Sequence, residues 1–506
     1  MTDNANLYAH FKQHFPSDAG QTLLIDAAGR VVSYRQADEG SARIANVLRS
    51  SGALPGDRIT VQVEKSTENL LLYLACLRGG FVYHPLNTAY TAAELDYFLG
   101  NAEPSIVICS TASVSIMQSV YEVHSILTLD ADGAGTLMEL AAAAATEFEI
   151  ARCKGSDIAA LLYSSGTTGQ PKGIMLSHNN LRQNAQTLVK AWGFTSTDRL
   201  LHMLPIYHVH GLFVGLGCVL MTGASMAWHS GFNDTVAISA MPECTVMMGV
   251  PTYYTRLLSN PAFGRECSAG MRLFVSGSAP LLAETFVEFQ ARSGHTILER
   301  YGMTETGMNT SNPLVGERRP GTVGPALPGI SVRVVNDVGE PQGEGEVGNL
   351  QVKGPNVFSG YWRMPDKTAA DFTPDGFFNT GDKATIDADG YVSIVGREKD
   401  MVITGGFNVY PKEIELVIDE MAGIKESAVI GVPHADFGEA VVAVVIADET
   451  NGTNIPAEKE IIAHCQTLLA NFKIPKRVVV IDALPRNAMG KVQKNLLRER
   501  FSQTAG

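Results

Sequence analysis

The chain has 506 residues, of which 45% are hydrophobic and 18% are charged, and its formal net charge is −13. Because single hydrophobic cores stop growing below this length, two or more domains are expected. The acidic balance, with no compensating basic tract, argues against a nucleic-acid partner, so an anionic substrate would need a local cluster of cations.

The sequence gives no sign of export or of a membrane partner. The N-terminal MTDNAN lacks a basic region followed by an apolar core, and the longest apolar run, Leu212 to Trp228, contains three glycines and is too short to span a bilayer. It is interpreted as a buried helix followed by a strand. The seven cysteines occur singly, which predicts neither a zinc site nor a disulfide framework. A cytoplasmic protein is expected.

Strand-like apolar runs alternate with amphipathic helical stretches from about Leu23 to Val315, which predicts an α/β domain. Strands are predicted at 58–63, 105–109, 158–163 and 245–250, and a helix at 66–78. Ligands of such domains bind at the carboxyl ends of the strands.

The predicted strand 158–163 leads into the run SSGTTGQPKG from Ser164 to Gly173. Glycines let backbone N–H groups approach phosphate oxygens, hydroxyls add neutral donors, and Lys172 adds a mobile charge. The spacing differs from that of the Walker A motif, in which Ser or Thr follows the lysine. We interpret the run as a different polyphosphate loop. The alternative is an ordinary Ser/Gly-rich surface connection, which the length of the run disfavours.

The pattern changes twice in the remaining chain. Short β-rich runs broken by Gly, Asp and Pro, from Gly321 to Val395, predict a small distorted β-subdomain. After Gly396 a new strand, helix and strand succession predicts a separate α+β domain of roughly a hundred residues. That domain ends in LPRNAMGKV, which places Lys491 between a glycine and a strand-like run. A lysine in a loop is usually a solvated surface residue.

Several motifs in order identify a family resemblance. Besides SGTTGQPKG, the chain contains VSGSAPL (275–281), RYGMTET (300–306), NTGD (379–382), GREKD (396–400) and PRNAMGK (485–491). In sequence, order and separation these resemble the adenylate-forming superfamily of acyl-CoA synthetases, adenylation domains and luciferases, over nearly the full length.

The resemblance implies a fold with two parts. A large N-terminal domain, residues 1–398, would contain two α/β subdomains and a distorted β-subdomain and hold ATP and the acid. A small mobile α+β lid, residues 399–506, would supply the catalytic lysine and a thioester-forming face. The lid would turn about a hinge at Lys399, removing Lys491 and presenting Gly405 and Gly406 to the pantetheine arm of coenzyme A.

The resemblance also implies residue roles. Glu305 and Thr167 would hold Mg²⁺, and with Lys491 they form the expected catalytic set. Asp382 would accept the ribose hydroxyls, with a turn aspartate as the alternative, and Tyr301 would stack on adenine opposite a thin shelf. The expected ATP-binding residues are Ser164, Ser165, Gly166, Thr167, Thr168, Gly169, Lys172, Gly277, Ser278, Ala279, Pro280, Glu299, Arg300, Tyr301, Gly302, Met303, Thr304, Asp382, Arg397 and Lys491.

The acid pocket resembles that of the malonyl-CoA synthetases in the segments LPIYHVHG (204–211), GVPTYYTR (249–256) and YGMTETGMNTSN (301–312). Malonate keeps one carboxylate after adenylation, and this anion needs a cation or several donors when it is dehydrated. Arg256 is the expected cation, with His208, His210 and Ser276 as donors, while Val209 and Met308 close the pocket. Val209 stands between the histidines where a hydroxyl is common in the subfamily, which could favour methylmalonate.

Three alternatives stay open at this point. The chain could activate another short-chain, medium-chain or aryl acid, load a carrier protein, or only bind nucleotide. The presence of both Glu305 and Lys491 argues against binding alone, since binding needs neither transition-state group. A lysine acetyltransferase acting on Lys491 is a further partner hypothesis, because the charge of this lysine would be required for adenylation.

Overall fold

The computed structural model describes residues 4–122, 125–164, 171–397, 400–404, 407–434, 438–448, 455–469, 471–487 and 490–502. The strands and helices within these ranges are numbered along the chain. The described strands form four sheets, two of them large and two small.

The first large sheet has the strand order β14-β13-β12-β11-β9-β10-β1-β2. Its central strands are parallel, and β2 and β14 pair antiparallel at the two edges. The strands are β1 (Thr22–Asp26), β2 (Val31–Ser33), β9 (Arg199–His202), β10 (Ser225–Trp228), β11 (Val246–Gly249), β12 (Leu273–Ser276), β13 (Ile297–Met303) and β14 (Gly307–Ser311).

The second large sheet has the order β6-β5-β3-β4-β7-β8, parallel except for the antiparallel pair β7 and β8. The expected phosphate loop thus connects two strands of a hairpin. The strands are β3 (Arg58–Gln62), β4 (Val82–Pro85), β5 (Ile106–Cys109), β6 (Ile126–Thr128), β7 (Ile158–Ser164) and β8 (Lys172–Ser177).

The two small sheets follow in the C-terminal part of the chain. An antiparallel sheet contains β15 (Ser331–Val335), β16 (Gly348–Lys353), β17 (Phe378–Ile386) and β18 (Val392–Arg397). The last sheet contains β19 (Val402–Thr404), β20 (Phe407–Val409), β21 (Ile424–His434), β22 (Gly438–Ala447) and β23 (Arg477–Val480).

Sixteen α-helices are described, together with a π-helical turn, His210–Gly215, that leads into α8. The helices are α1 (Leu7–Gln13), α2 (Tyr34–Ser50), α3 (Thr67–Gly79), α4 (Ala92–Ala102), α5 (Val114–Val120), α6 (Thr136–Ala143), α7 (His178–Ala191), α8 (Leu216–Leu220), α9 (Asp234–Ala240), α10 (Pro251–Ser259), α11 (Arg265–Ser268), α12 (Ala283–Ser293), α13 (Pro365–Asp371), α14 (Pro411–Asp419), α15 (Glu458–Leu468) and α16 (Lys494–Ser502).

Local sequence fixes several helix boundaries. The side chain of Ser177 accepts from the backbone N–H of Asn180, whose own side chain accepts from Ser177, which starts α7 with a reciprocal cap. Helix α3 is buried along its whole length and ends at Gly80, which adopts a left-handed φ of 69°. Most of its residues are apolar, and α3 lies in the core that both large sheets share.

The lid has its own hydrophobic cores. The clusters around Val441 and Val442 contain only residues from Val402 onward, whereas the clusters of the N-terminal part contain none of these. This separation is what a distinct C-terminal domain requires. The expected boundary at 398/399 lies outside the described residues, so its position stays a prediction.

The predicted α/β architecture, β-subdomain and α+β lid are confirmed. All seven cysteines are free thiols, and no described helix has the length and apolar content needed to cross a bilayer. The prediction of a strand-like run after Lys491 is wrong. Val492 forms only a single bridge with Arg486, and α16 begins two residues later. The NTGD segment lies inside β17, with Gly381 at φ 72°, rather than in a turn.

Candidate active site

Three parallel strands bring the central segments of the site together. In the register of β11, β12 and β13, Gly249 pairs with Ser276 and Ser276 with Glu299. Beyond this register the carboxyl ends of the three strands lead into the start of α10, into the segment 277–280, and into the last residues of β13, 300–303, which extend past β12. Distant parts of the sequence therefore meet because carboxyl ends of parallel strands share an edge.

Arg300 is the buried cation of this edge. Its side chain is 3% exposed, and Nε and Nη2 have no hydrogen-bond partner among the described residues. Burial lowers the pKa of its guanidinium to about 9. A Cβ added at Gly277 would lie 2.4 Å from Arg300 Cζ, so the missing side chain of Gly277 makes room for the guanidinium. A buried cation with unused donors calls for an anionic ligand.

Further polar atoms without a partner accompany Arg300. Ser276 Oγ, His208 Nε2 and His210 Nε2 are all buried and make no hydrogen bond to a described residue. Burial and then the charge of Arg300 lower the pKa of His210, while burial and then Lys491 lower that of His208 to about 3. Both rings are thus neutral and can each present one N–H to a ligand. The arginine, the serine and the two histidines thus offer hydrogen-bond donors, while the neighbouring Glu299 carries a buried Oε1 that also lacks a partner among the described residues.

Tyr301 and Asp382 form the next part of the site. The Tyr301 hydroxyl donates to Asp382 Oδ2, and Arg397 Nε lies 3.2 Å from Asp382 Oδ1. Burial, followed by the charge of Asp382, raises the pKa of Tyr301 well above its usual value, so the phenol stays protonated. Each oxygen of Asp382 keeps a free lone pair, which leaves capacity for the ribose hydroxyls expected there.

Arg300 and Tyr301 face opposite ways because neighbouring side chains of a strand alternate. Tyr301 reaches Asp382, whereas Arg300 lies against Gly277 and acts electrostatically on His210. The sequence grouped Arg300 with the ATP-binding residues. The structure places it among the residues expected for the acid.

Glu305 is the expected metal ligand and is buried. Burial raises the pKa of its carboxyl, and the charges of Arg397 and Lys172 act in the opposite direction. No group of three or more His, Cys, Asp or Glu side chains within the described residues could hold a metal ion. A single carboxylate still fits Mg²⁺, which takes one or two protein oxygens together with substrate phosphates.

The lid delivers Lys491 to the same place. Its backbone N–H donates to Asn487 Oδ1, Arg486 Nη1 donates to Gly490 O, and Gly490 adopts a left-handed φ of 75°. A Cβ at Gly490 would come within 3.9 Å of Thr252 Oγ1 on α10, so this loop contacts the N-terminal domain. Burial and then Arg397 lower the pKa of Lys491 to about 8, with Asp382 and Glu305 opposing. Lys491 thus lies within electrostatic reach of the groups expected for ATP.

Arg256 differs from the expectation. Arg256 is an exposed residue of α10. The hydrogen bond from Asn260, and to a smaller extent the charge of Arg256, lower the pKa of half-buried Asp234. Helix periodicity turns Arg256 outward while Tyr254 and Leu257 are buried. The structure does not place Arg256 in a buried pocket. A contribution of Arg256 to acid binding stays a prediction.

The remaining expected residues surround these groups. Ser278 Oγ lies 3.4 Å from His210 Nδ1, Lys172 Nζ lies 4.9 Å from the Tyr361 ring, and burial raises the pKa of Glu299 to about 8. Val209 and Thr304 border one small cavity. The other expected ATP-binding residues of this region lie on or next to β13 and the segment after β12: Ala279, Pro280, Gly302 and Met303.

Part of the expected site lies outside the described residues. The residues concerned belong to the phosphate loop, which includes the expected metal ligand Thr167, and to the expected hinge and pantetheine positions. Ser164 is described only as the last residue of β7. The expected residues concerned are Ser165, Gly166, Thr167, Thr168, Gly169, Lys399, Gly405 and Gly406.

Sequence reasoning missed two asparagines, Asn184 and Asn356, that line the small cavity bordered by Val209 and Thr304 and hold the backbone beside it. Asn184 bonds both backbone groups of Met308, accepting from its N–H at 3.1 Å and donating to its carbonyl at 3.0 Å. Asn356 Nδ2 donates to Thr306 O and to Asn309 Oδ1. A signal existed for one of them, since Asn180 and Asn184 lie four residues apart on the otherwise apolar face of α7.

Comparison with known proteins gives a consistent result. Residues 11–362 match the family described as AMP-binding enzyme, and residues 413–491 match the AMP-binding enzyme C-terminal domain. A malonate–CoA ligase of Arabidopsis thaliana is 32% identical, over 98% of this chain and 90% of the relative. A feruloyl-CoA synthase of a Streptomyces species is 34% identical, over 94% of each.

Two solved structures of one bacterial protein, one with ATP and one without, align with the chain to different degrees. The crystal structure of ATP-bound MatB from Rhodopseudomonas palustris is 51% identical, covers 100% of both chains and aligns with a TM-score of 0.96. The apo crystal structure of the same protein, with equal identity and coverage, aligns with a TM-score of 0.85. The backbone of the chain as a whole is thus more similar to the ATP-bound structure than to the apo structure.

Proposed function

The chain belongs to the AMP-binding enzyme family and is an AMP-forming acid–CoA ligase, and from this premise we propose that its acid is malonate. The overall reaction would convert malonate, ATP and coenzyme A into malonyl-CoA, AMP and pyrophosphate. Methylmalonate is a second diacid that the same pocket chemistry suits.

One observation carries the choice of a diacid. Arg300, Ser276, His208 and His210 present five buried nitrogen and oxygen atoms that have no partner among the described residues. Leaving such atoms unpaired costs about 1–3 kcal/mol each, and more for a charged group. A second carboxylate would pair with them, whereas a fatty or aryl acid would leave them unpaired. The unused donors therefore favour malonate over the acids of relatives such as the feruloyl-CoA synthase.

In the first half-reaction, an oxygen of one malonate carboxylate would attack the α-phosphorus of ATP. An O–P bond forms, the α–β phosphoanhydride bond breaks, and pyrophosphate leaves. Lys491 would lie between the two anions, where its ammonium offsets the charge that accumulates in the transition state. Asp382, supported by Tyr301 and Arg397, would hold the ribose.

The electrostatics of the site suit this step. Lys491, Arg397 and Lys172 supply positive charge around buried Glu305. Glu305, with Thr167 as the expected second ligand, would hold Mg²⁺, which supplies Lewis-acid neutralisation of the phosphates when bound. Arg300 would meanwhile hold the carboxylate that does not react.

In the second half-reaction, the sulfur of coenzyme A would attack the carbonyl carbon of malonyl-adenylate, forming a C–S bond. The C–O bond to the phosphate breaks, AMP leaves, and the thiol proton is released to solvent. Lys491 is not needed for this step. The lid would therefore turn at Lys399 and bring Gly405 and Gly406 to the pantetheine arm. Acetylation of Lys491 by a lysine acetyltransferase remains a hypothesis for blocking the first step alone.

The test is a steady-state comparison of malonate, methylmalonate, acetate and hexanoate in a pyrophosphate-release assay with ATP, Mg²⁺ and coenzyme A. We expect the largest kcat/KM for a diacid. A preference for hexanoate or acetate would overturn the assignment of malonate while leaving the acid–CoA ligase activity intact.

A further inference from the structure

A second buried basic residue, Lys65, lies outside the site described above, and burial lowers the pKa of its ammonium well below the usual value. Lys65, in the connection between β3 and α3, is 8% exposed and has no acidic side chain within ion-pair distance among the described residues. Its Nζ lies 2.8 Å from His202 Nδ1, 2.9 Å from His202 O and 4.2 Å from the centre of the Trp228 ring. Lys65 follows a strand of one large sheet, whereas His202 and Trp228 are the last residues of β9 and β10 in the other. The lysine therefore connects the two sheets.

The hydrogen bonds determine the tautomer of His202. Its Nε2 lies 3.0 Å from the carbonyl oxygen of Gly211, which can only accept, so Nε2 carries the proton. Burial, followed by the charge of Lys65, lowers the pKa of His202 well below its usual value, so the ring is neutral. Nδ1 is then an acceptor, and Lys65 donates to it. Replacing Lys65 by an apolar residue would leave Nδ1 buried without a partner.

The Gly211 carbonyl that accepts from His202 belongs to the turn that contains His210 and begins two residues after His208. Gly211 is the second residue of the π-helical turn His210–Gly215, and π-helical turns are often found at functional sites. The turn is tightly packed, since a Cβ at Gly211 would lie 2.1 Å from Pro205 O and one at Gly215 would lie 3.2 Å from His202 Nε2. The backbone around His210 thus has little freedom as long as His202 stays in place.

We propose that Lys65 is a positioning residue for acid selection: through His202 and the Gly211 carbonyl, it fixes the turn that aims His208 and His210 into the acid pocket. This inference rests on the proposed function, because it concerns donors assigned to the second carboxylate of malonate. Among the described residues, Lys65 makes no hydrogen bond or ion pair with Tyr301 or Asp382, so we expect ATP binding to be little affected by its replacement.

The test compares wild type with Lys65→Met, His202→Gln and the double variant by pyrophosphate release, varying malonate, propionate and ATP in turn. For Lys65→Met we expect the KM for malonate to rise about tenfold or more, because the unpaired Nδ1 of His202 would loosen the bond that holds the Gly211 carbonyl and the turn of His210. The KM for ATP should stay within about twofold, and the preference for malonate over propionate should fall. The glutamine Nε2 can still donate to Gly211 O, so His202→Gln should retain more malonate selectivity than Lys65→Met.

Non-additivity separates positioning from general destabilisation. Because Lys65 acts through His202, Lys65→Met should add little to His202→Gln in the double variant. Lys353→Met, a change of an exposed lysine that donates to Asp375 O, is the matched control and should behave as wild type. Thermal melting of each variant monitors folding.

Equal rises in the KM values for malonate and ATP, fully additive effects, or unchanged malonate selectivity in folded Lys65→Met would overturn the inference. If wild type does not use malonate, the proposed function fails instead. The Lys65 inference is then judged by the same KM comparison with the acid that wild type activates.

Discussion

Replacing Arg300 by methionine should separate diacid from monoacid activation. The guanidinium is buried, and two of its nitrogens lack a partner among the described residues. Removing one partner of a buried charge pair costs about 3–5 kcal/mol. Ser276 and His210 would still donate to the carboxylate, so we take the lower end of this range. At 1.4 kcal/mol per factor of ten, kcat/KM for malonate should fall about a hundredfold.

The same change should leave propionate activation unimpaired or improved, because methionine suits an apolar end better than an unpaired cation does. The assay is pyrophosphate release with each acid at saturating ATP. The melting temperature should stay or rise, since the variant removes a buried charge that has no described partner in the free protein. Loss of activity with stability retained would show that Arg300 acts on the ligand.

Arg256→Met is the matched control, because it removes the same charge from an exposed position of α10. Little change in malonate turnover is expected for this variant. The reasoning is refuted if Arg256→Met loses malonate selectively while Arg300→Met does not, since the pocket cation would then be Arg256, as the sequence indicated. A parallel loss of malonate and propionate in Arg300→Met would also refute it.

The other predictions concern the nucleotide side and the lid. Lys491→Ala should abolish pyrophosphate release yet spare thioester formation from supplied malonyl-adenylate, and equal loss of both half-reactions would contradict the proposed division of roles. Because the pKa of Lys491 is lowered to about 8, the ammonium is present below that pH and is lost above it. The kcat/KM for adenylation should therefore fall up to tenfold per pH unit above about pH 8, whereas thioester formation from the adenylate should lack this limb. Tyr301→Phe removes the donor to Asp382 and should raise the KM for ATP about fivefold, with that for malonate unchanged, since a hydrogen bond contributes about 1 kcal/mol. Tyr391→Phe, which removes an exposed hydroxyl that donates to Glu317 O, is its control, and equal effects of the two changes would argue against the role of Tyr301. Gly277→Ala should act like loss of Arg300, because the new Cβ would lie 2.4 Å from the guanidinium carbon; unchanged malonate selectivity would place that guanidinium elsewhere.

Secondary-structure elements whose formation depends on neighbouring residues were predictable from the sequence. The apolar run 158–163 forms β7, and the stretch 66–78 forms α3 nearly as predicted. Each contains an uninterrupted apolar run, 158–163 in β7 and 70–77 in α3, which is typical of a buried element. The helix α16 was missed because its sequence, KNLLRERFS, has few apolar residues and takes its place by burying Leu497 and Phe501 against the lid core.

The sequence by itself determined the family, the division into an α/β body and an α+β lid, and the identity of the groups that bear charge. These follow from motif order and from hydrophobic periodicity, which are properties of neighbouring residues. Only the tertiary structure decided which charged groups share a site. Arg300 and Arg256 look alike as cations beside a motif, but strand alternation buries one beside His210 while helix periodicity exposes the other. The role of Lys65 likewise depends on a contact with His202, 137 residues away, which no local pattern contains because it arises where two sheets pack together.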